Sequence, residues 1–226
     1  MGFSQTTPEP ARVFTMKEIP PNTIVIILTN CQGEWLEKGF GAFLKHKFPG
    51  AYGRYRAICD EYASGDHGTT TRDLVGTCQI IPPLSYDFIA RSAPRVYIAC
   101  LFSSYGNGRR NWFSLKRGRD SKAKILAQTD SALAHLKELL KQKGREHSTG
   151  NLFDTNWTAT GKNMLVLAED NNPKDFHLKC HEVEALIRKN FEDWDGEIWM
   201  WDQQMTDRAA RYESLLAYLD PRASMI

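Results

Sequence analysis

The sequence predicts an α/β fold in which a mixed, mostly parallel sheet lies between two layers of helices. Residues 24–28 are apolar and mostly β-branched, which is typical of a parallel strand buried on both faces. Residues 121–143 carry a single apolar stripe at helical spacing. Strand and helix patterns also alternate along the chain, which is the order of an α/β domain.

Several segments have the composition of strands. The segment 13–19 is followed by Pro20 and Pro21, so it is expected at an edge of the sheet, where a missing donor does no harm. β-Branched and aromatic residues predict the others. In chain order, strands are predicted at residues 13–19, 24–28, 74–81, 95–102, 164–168 and 197–201.

Helical periodicity marks the segments between these strands. Tyrosines and a cysteine recur at three- and four-residue steps over 52–63, and Asp120 or Ser121 can cap the long helix that follows. Loops are expected at 64–72 and 103–118, which are polar or rich in glycine and arginine. Helices are predicted at residues 36–47, 52–63, 121–143, 176–190 and 207–219.

Length and composition indicate one globular domain. The chain has 226 residues, of which 42% are hydrophobic and 25% charged, as in ordinary globular proteins. We expect a flexible tail over residues 1–12, a single domain over 13–226 and a surface excursion near 144–161. No apolar run approaches the roughly 18 residues that a membrane-spanning helix needs, so no membrane association is expected.

The cysteines and histidines argue against disulfides and metals. Five widely spaced cysteines without a Cys-x-x-Cys pair form neither a disulfide framework nor a zinc motif. We expect buried thiols in a reducing compartment, cytoplasmic or nuclear. His177 and His181 share a helical spacing, but no third ligand accompanies them, so neither a metal nor a cofactor is expected.

A glycine-containing loop follows the apolar strand 24–28 and leads into a helix. Strand, glycine loop and helix is the arrangement in which α/β folds offer backbone N–H groups to an anion, in the field of a helix N-terminus. Ligands of such sheets bind at the carboxyl ends of strands. We therefore expect a phosphate-bearing ligand here, where the loops after Leu28, Phe102 and Ala168 can meet.

Three ordered motifs resemble those of macrodomains, and in particular the fungal-type ADP-ribose 1''-phosphate phosphatases. They are Asn30-Cys31-Gln32-Gly33-Glu34-Trp35 with Phe48-Pro49, Ala51, Tyr55 and Cys59; then residues 74–82; then residues 98–104. Together they cover residues 24–104. From about residue 105 onward the resemblance depends on the order of elements alone.

The resemblance implies a three-layer α/β/α sandwich that binds ADP-ribose or a derivative. Asn30 would hold the distal ribose and serve in catalysis, and Asp170 is the candidate acid or base. Glu18 would accept from the adenine amino group, Trp35 would form a wall of the pocket, and glycines would let N–H groups approach phosphates. The implied ligand-binding set is Glu18, Ile19, Gln32, Gly33, Trp35, Gly39, Phe40, Gly41, Ser103, Ser104, Gly106, Asn107, Asn171 and Asn172. By residue type alone, Asn30 could also cap a helix and Trp35 could pack in the core.

The chain departs from the phosphatase pattern at three places. Ile27 stands where that branch often carries a histidine, and a hydrocarbon cannot transfer protons. Leu36-Glu37 replaces the usual Gly-Gly, and the second phosphate loop, 169–176, has acids and Pro173 but no glycine. An acidic loop suits a general base better than a phosphate cradle. We favour a phosphatase or ADP-ribosyl hydrolase, and keep two alternatives: a non-catalytic ADP-ribose reader, and a nucleic-acid-binding protein that uses the basic loop 109–124.

Residues 109–124 favour a different class of partner. Seven basic residues face a single acid, Asp120, and Trp112 and Phe113 lie among them. Such a loop can follow a nucleic-acid backbone and stack bases, although many basic loops are simply solvated. Expected partners are therefore ADP-ribose or a derivative, with ADP-ribosylated protein or RNA as further candidates, and the protein is expected to be a monomer.

Overall fold

The computed structural model describes residues 19, 21–35, 39–65, 68–106, 118, 120–148, 164–167, 178–194 and 198–201. Five strands form one sheet, and helices connect them. In chain order the elements are β1 (Ile24–Asn30), α1 (Gly39–Lys47), α2 (Pro49–Ser64), a 3₁₀ turn (Thr71–Leu74), β2 (Cys78–Ile81), α3 (Ser85–Ala90), β3 (Tyr97–Ser104), α4 (Lys122–Ser148), β4 (Met164–Leu167), α5 (Cys180–Asn190) and β5 (Ile198–Trp201).

The sheet is mixed and mostly parallel, as predicted. Its strand order is β2-β3-β1-β4-β5, so the most apolar strand, β1, lies at the centre. β1 runs parallel to β3 and β4, with Ile27 opposite Cys100 and Leu167, and β4 runs parallel to β5. Only β2 is antiparallel to its neighbour in the described sheet. The carboxyl ends of β1, β3 and β4 therefore meet at one edge.

Alternating side chains of the sheet divide the core into two halves. Val25 and Ile27 pack with α1, α2 and the turn before β2, whereas Ile24 and Ile26 pack with α4 and α5. Residues of β3 alternate in the same way. The predicted α/β/α sandwich is confirmed, and β1 is buried on both faces.

The sequence misplaced the start of β2. A strand was predicted over 74–81, but Thr71–Leu74 is a 3₁₀ turn and the strand is limited to Cys78–Ile81. Gly76 lies between them with φ of +77°, and a Cβ there would lie 3.2 Å from the Ser131 hydroxyl of α4. A left-handed residue cannot continue a strand, so pairing begins after it.

Helix α3 was not predicted at all. It has only six residues, too few for a periodic pattern. Its Asp87 is buried and accepts hydrogen bonds from the backbone N–H groups of Gly50, at 2.6 Å, and Ala51, at 3.0 Å. A carboxylate distant in sequence therefore caps α2, since Phe48 provides no side-chain cap.

Other predicted bounds change at the ends. Helix α4 runs to Ser148, so an excursion predicted from residue 144 cannot begin before 149, and α5 begins at Cys180 rather than 176. Of the predicted strand 13–19 only Ile19 is described, as a buried residue at a bend. The tail 1–12, the helix 207–219 and residues 149–161 lie outside the described residues. No helix within the described ranges has the length and apolar character that crossing a membrane requires.

Candidate functional site

Asn30 ends β1 and closes a tight turn. Its carboxamide oxygen accepts the Gln32 N–H at 2.7 Å, and its carboxamide N–H donates to the Glu34 carbonyl. The Tyr55 hydroxyl of α2 donates to the Asn30 backbone carbonyl at 2.6 Å. The side chain is almost fully buried. Asn30 therefore fixes the loop at the carboxyl edge of the sheet, the position predicted for a ligand.

Gly33 is the residue of this loop that must be glycine. Its φ is +71°, and a Cβ there would lie 3.5 Å from Cys59 Cβ and 3.6 Å from Arg56 Cγ of α2. The loop is thus pressed onto α2, with a hydrogen bond between the Gly33 backbone and the Cys59 sulfur. Burial raises the pKa of Cys59 to about 11, so the thiol is protonated at neutral pH.

Trp35 packs in the core beneath the loop. Its ring lies 5.6 Å from that of Tyr55 and 5.3 Å from that of Tyr52, centre to centre. Its buried indole N–H has no hydrogen-bond partner among the described residues. A buried donor without an acceptor is costly, so Trp35 combines core packing with an unused polar group next to the site.

The serines at the end of β3 are structural in this conformation. Ser103 and Ser104 are fully buried, and the Ser103 hydroxyl donates to the Leu101 carbonyl at 3.3 Å. The Ser104 hydroxyl donates to the Gly106 carbonyl at 2.9 Å and accepts the Asp120 N–H at 3.2 Å. Contact with a ribose would require these internal bonds to open, so their predicted role as ligand contacts stays a prediction.

Tyr105 joins the two strand ends and was missed by the sequence. Its carbonyl accepts from the Gln32 side chain at 3.2 Å and from the Cys31 N–H at 3.4 Å. Its N–H donates to Asp120 at 2.9 Å, and the Arg72 guanidinium lies 4.6 Å from its ring centre. In the sequence, the only indication was that Tyr105 follows the predicted strand 95–102 by three positions. The pairing of β1 with β3 is what places it next to Gln32.

The predicted glycine loop is partly helical. Gly39, Phe40 and Gly41 form the first turn of α1, which agrees with the predicted helix 36–47 and corrects the expectation that the two glycines belong to a phosphate-binding loop. Helix spacing extends through them because no residue between 39 and 47 stops it. The N-terminus of α1, an end of a helix that favours anions, therefore lies at Gly39.

Comparison with known proteins agrees with the motifs. No family model matches the chain. A curated ADP-ribose 1''-phosphate phosphatase of Aspergillus fumigatus is 30% identical over 161 residues, covering 62% of this chain and 76% of the relative. The same protein of Aspergillus clavatus is 29% identical over 157 residues, covering 62% and 74%.

The chain belongs to the fungal-type macrodomain family of ADP-ribose 1''-phosphate phosphatases. The resemblance found in residues 24–104 is thereby confirmed. Among solved structures, it is similar to the macrodomain of Mycobacterium tuberculosis DarG, with a TM-score of 0.48 and 15% identity over 80% of this chain and 90% of that one. It is also similar to Thermosipho africanus DarTG in complex with ADP-ribose, with a TM-score of 0.48 and 14% identity over 79% and 37%.

One departure of this macrodomain from its family pattern, Ile27, has a clear structural role in the sheet. Ile27 is buried between Cys100 and Leu167 on the neighbouring strands, where it packs in the core. It contributes hydrophobic packing and no proton transfer. Ile19 is buried as well, so its predicted contact with adenine stays a prediction.

Several predicted site residues lie outside the described residues. They are Glu18, Leu36-Glu37, Asn107, Asp170, Asn171 and Asn172, with the rest of the loop 169–176. Of the basic loop 109–124, only Gly118 and residues 120–124 are described, and Lys122 pairs with Glu182 at 2.7 Å. Its nucleic-acid role stays a prediction.

The described thiols are free and buried, as expected, and they are poor nucleophiles. Burial raises the pKa of Cys31, Cys59, Cys78 and Cys100, so each is a neutral thiol near pH 7. The described part of the chain contains no group of three side chains that could hold a metal ion. Its polar site groups are thus carboxamides, hydroxyls, carboxylates and guanidinium groups.

Proposed function

We propose that the protein binds ADP-ribose derivatives at the carboxyl ends of β1 and β3 and hydrolyses the phosphate of ADP-ribose 1''-phosphate. The observation that carries the proposal is the single hydrogen-bonded unit formed by Asn30, Gly33, Tyr55 and Cys59. These are the motif residues through which the chain resembles its phosphatase relatives.

Positive charge at the loop supports a phosphate-bearing ligand. Arg56 packs against Gly33 on one side, and Arg72 lies over Tyr105 on the other. Both side chains are exposed. Guanidinium groups pair with phosphate through two N–H groups at once, so either arginine is suited to hold a terminal phosphate.

The proposed chemistry is attack of water on phosphorus, with cleavage of its bond to the ribosyl oxygen. That oxygen takes up a proton, which Ile27 cannot supply and which the carboxyl group of Asp170 would return after removing it from the attacking water. The buried thiols are protonated and do not form a phosphocysteine intermediate. We assign water activation to Asp170 and positioning of the distal ribose to Asn30. Hydrolysis of ADP-ribose from protein or RNA is the finer alternative for the same site.

Phosphate release and calorimetry test the proposal together. Purified protein should bind ADP-ribose saturably and release inorganic phosphate from ADP-ribose 1''-phosphate. Binding without release would identify a reader, and release of ADP-ribose from modified protein without phosphate release would identify an ADP-ribosyl hydrolase. Absence of binding at millimolar ADP-ribose would overturn the proposal.

We further propose that the protein is a monomer of the cytoplasm or nucleus. Its free, buried cysteines support a reducing compartment. Size-exclusion chromatography with light scattering should give one mass near 25.8 kDa. A stable dimer at micromolar concentration would contradict the monomer.

A further inference from the structure

Cations of the two helical layers have different partners. Within the described residues, every ion pair involves α4 or α5: Lys122–Glu182, Lys137–Asp193, Lys141–Glu138, Arg188–Glu184 and Lys189–Asp130. In the other layer, cations lie over aromatic rings instead: Lys45 and Arg56 over Tyr52, Arg72 over Tyr105 and Arg95 over Phe88. Rings leave the positive charge uncompensated.

The composition of α1 and α2 explains the difference. Residues 39–59, which are α1 and the first part of α2, contain five basic or histidine side chains and no acid, and the acids of α2, Asp60 and Glu61, follow near its C-terminus. The nearby acid of α3, Asp87, is buried and both its oxygens accept backbone N–H groups of α2. It is therefore unavailable to the surface, and a positive potential remains over α1 and the first turns of α2.

These cations line a groove between α1 and α3. Lys45, His46 and Arg91 form its polar walls, with Ala42 and Pro49 between them. The three side chains are exposed, and the Lys47 ammonium donates to the Arg91 carbonyl at 2.8 Å, which joins the ends of the two helices. The groove is thus a fixed feature of the fold.

The groove is distinct from the ADP-ribose site. Asn30 lies at the carboxyl end of β1, whereas Arg91 precedes β3, whose first residue pairs with Ile24 at the other end. Helix α1 has nine residues, a length of about 13 Å, and the groove lies at its C-terminal end. Lys45 and His46 also offset the dipole of α1 at its C-terminus, and Arg91 lies at the C-terminus of α3, so the groove collects cations from the ends of two helices.

Aromatic and apolar groups accompany the charge. Tyr86 and Ile89, on α3 directly before Arg91, are 56% and 74% exposed, and they are the large hydrophobic residues that stand exposed among those described. Proteins bind single-stranded nucleic acids without sequence preference in two ways at once. Cations pair with the phosphates, and the bases stack on exposed aromatic rings. An acidic peptide would pair with the cations but would have no group that stacks on the exposed ring of Tyr86.

We propose that the groove of Lys45, His46 and Arg91 binds the phosphate backbone of a single-stranded nucleic acid, with Tyr86 as a stacking ring. The proposal is independent of hydrolysis at Asn30. It predicts a second, salt-sensitive partner on the edge of the sheet opposite the ADP-ribose site.

Fluorescence anisotropy with labelled oligouridine, over a series of salt concentrations, tests the proposal on the full chain. The double variant Lys45→Ala/Arg91→Ala should bind about tenfold more weakly and reduce the salt slope by about 1.4, for two lost phosphate contacts. The control Arg188→Ala/Lys189→Ala removes two exposed but ion-paired cations and should change affinity less than twofold. Tyr86→Ala should weaken binding about fivefold or more.

Four outcomes would overturn the proposal. They are no binding at low salt, unchanged binding by the Lys45→Ala/Arg91→Ala variant, equal losses in both double variants, and competition by polyglutamate as effective as that by unlabelled oligouridine. The last would identify an acidic protein as the partner. All substituted side chains are exposed, so matching thermal unfolding curves will show that the variants remain folded.

Discussion

The two helical layers of this macrodomain differ in the partners of their cationic side chains. In the layer of α4 and α5, described lysines and arginines form ion pairs with acids of the same helix or of the other helix. In the layer of α1, α2 and α3, cations contact rings and carbonyls. The five ion pairs neutralise many cations of the first layer, whereas the cations of the second layer remain available to anions.

The layers also differ in what they do for the site. Tyr55 of α2 donates to the Asn30 carbonyl, and the sulfur of Cys59, also on α2, is hydrogen-bonded to the Gly33 backbone. Helix α4 instead contributes buried residues to the core, such as Leu136. The comparison teaches that one layer carries function and the other stability, and the predictions below test this separation.

Truncation of a core leucine should have the largest effect on stability. Leu136→Ala in α4 removes a fully buried side chain and should lower the free energy of unfolding by about 2–5 kcal/mol, measured by urea denaturation. ADP-ribose affinity of the folded variant should not change. Leu44→Ala in α1 is the matched truncation beneath the site, and it should lower both quantities. Equal effects of the two variants on affinity would remove the distinction between layers.

Removal of the Asn30 carboxamide should have the largest effect on activity. Asn30→Ala frees the Gln32 N–H and the Glu34 carbonyl, so the turn loses its shape. Phosphate release should fall about 100-fold, a change of about 2.7 kcal/mol. Asn190→Ala, which removes a carboxamide bonded to Asp130 in the other layer, serves as the control. Comparable losses in the two variants would contradict a special role for the Asn30 turn.

Alkaline pH should destabilise the core beneath the site. Burial raises the pKa of the Cys59 thiol from 9.0 to about 11, so the unfolded chain loses this proton first. Stability is then fully present below pH 9 and declines as pH rises from 9 to 11. The slope of the unfolding free energy against pH reports how many protons the folded chain retains, and Cys59→Ala should lower this number by about one. Urea denaturation at each pH measures it. A variant with the wild-type slope would show that this thiol does not contribute.

Loss of the distant cap of α2 should have a moderate effect. Asp87→Ala leaves the N–H groups of Gly50 and Ala51 without an acceptor and should cost about 1–2 kcal/mol of stability. Hydrogen exchange should show faster opening at the start of α2 than in α4. Uniform acceleration in both helices would mean that the cap acts on global stability alone.

A surface ion pair should matter least. Lys189 lowers the pKa of Asp130, chiefly by its hydrogen bond, with Asn190 contributing. Lys189→Ala should lower stability by at most about 0.5 kcal/mol at pH 7. Because the folded pKa is lowered, this contribution is present above the ordinary pKa of Asp130, 3.8, and is lost as pH falls below it. A difference that persists at pH 2 would refute this origin.

Local sequence patterns predicted most of the strands and helices. The helix cap and the ion pairs depend on tertiary contacts, which such patterns do not show. The apolar run 24–28 identified the central strand because both its faces are buried, and the Asn30 motif located the candidate site. The cap by Asp87 could not be predicted, because it joins residues 36 and 37 positions apart. The ion pairs Lys137–Asp193 and Lys189–Asp130 join residues 56 and 59 positions apart, so local sequence patterns could not show which cations are neutralised.

A crystal structure of the protein soaked with ADP-ribose tests the central claim most directly. We predict density for the ligand at the carboxyl ends of β1 and β3, with its distal ribose next to Asn30 and its phosphates near the N-terminus of α1. Arg56 or Arg72 should contact a phosphate. Ligand bound only in the groove of Lys45, His46 and Arg91, or no ligand at millimolar concentration, would contradict the account.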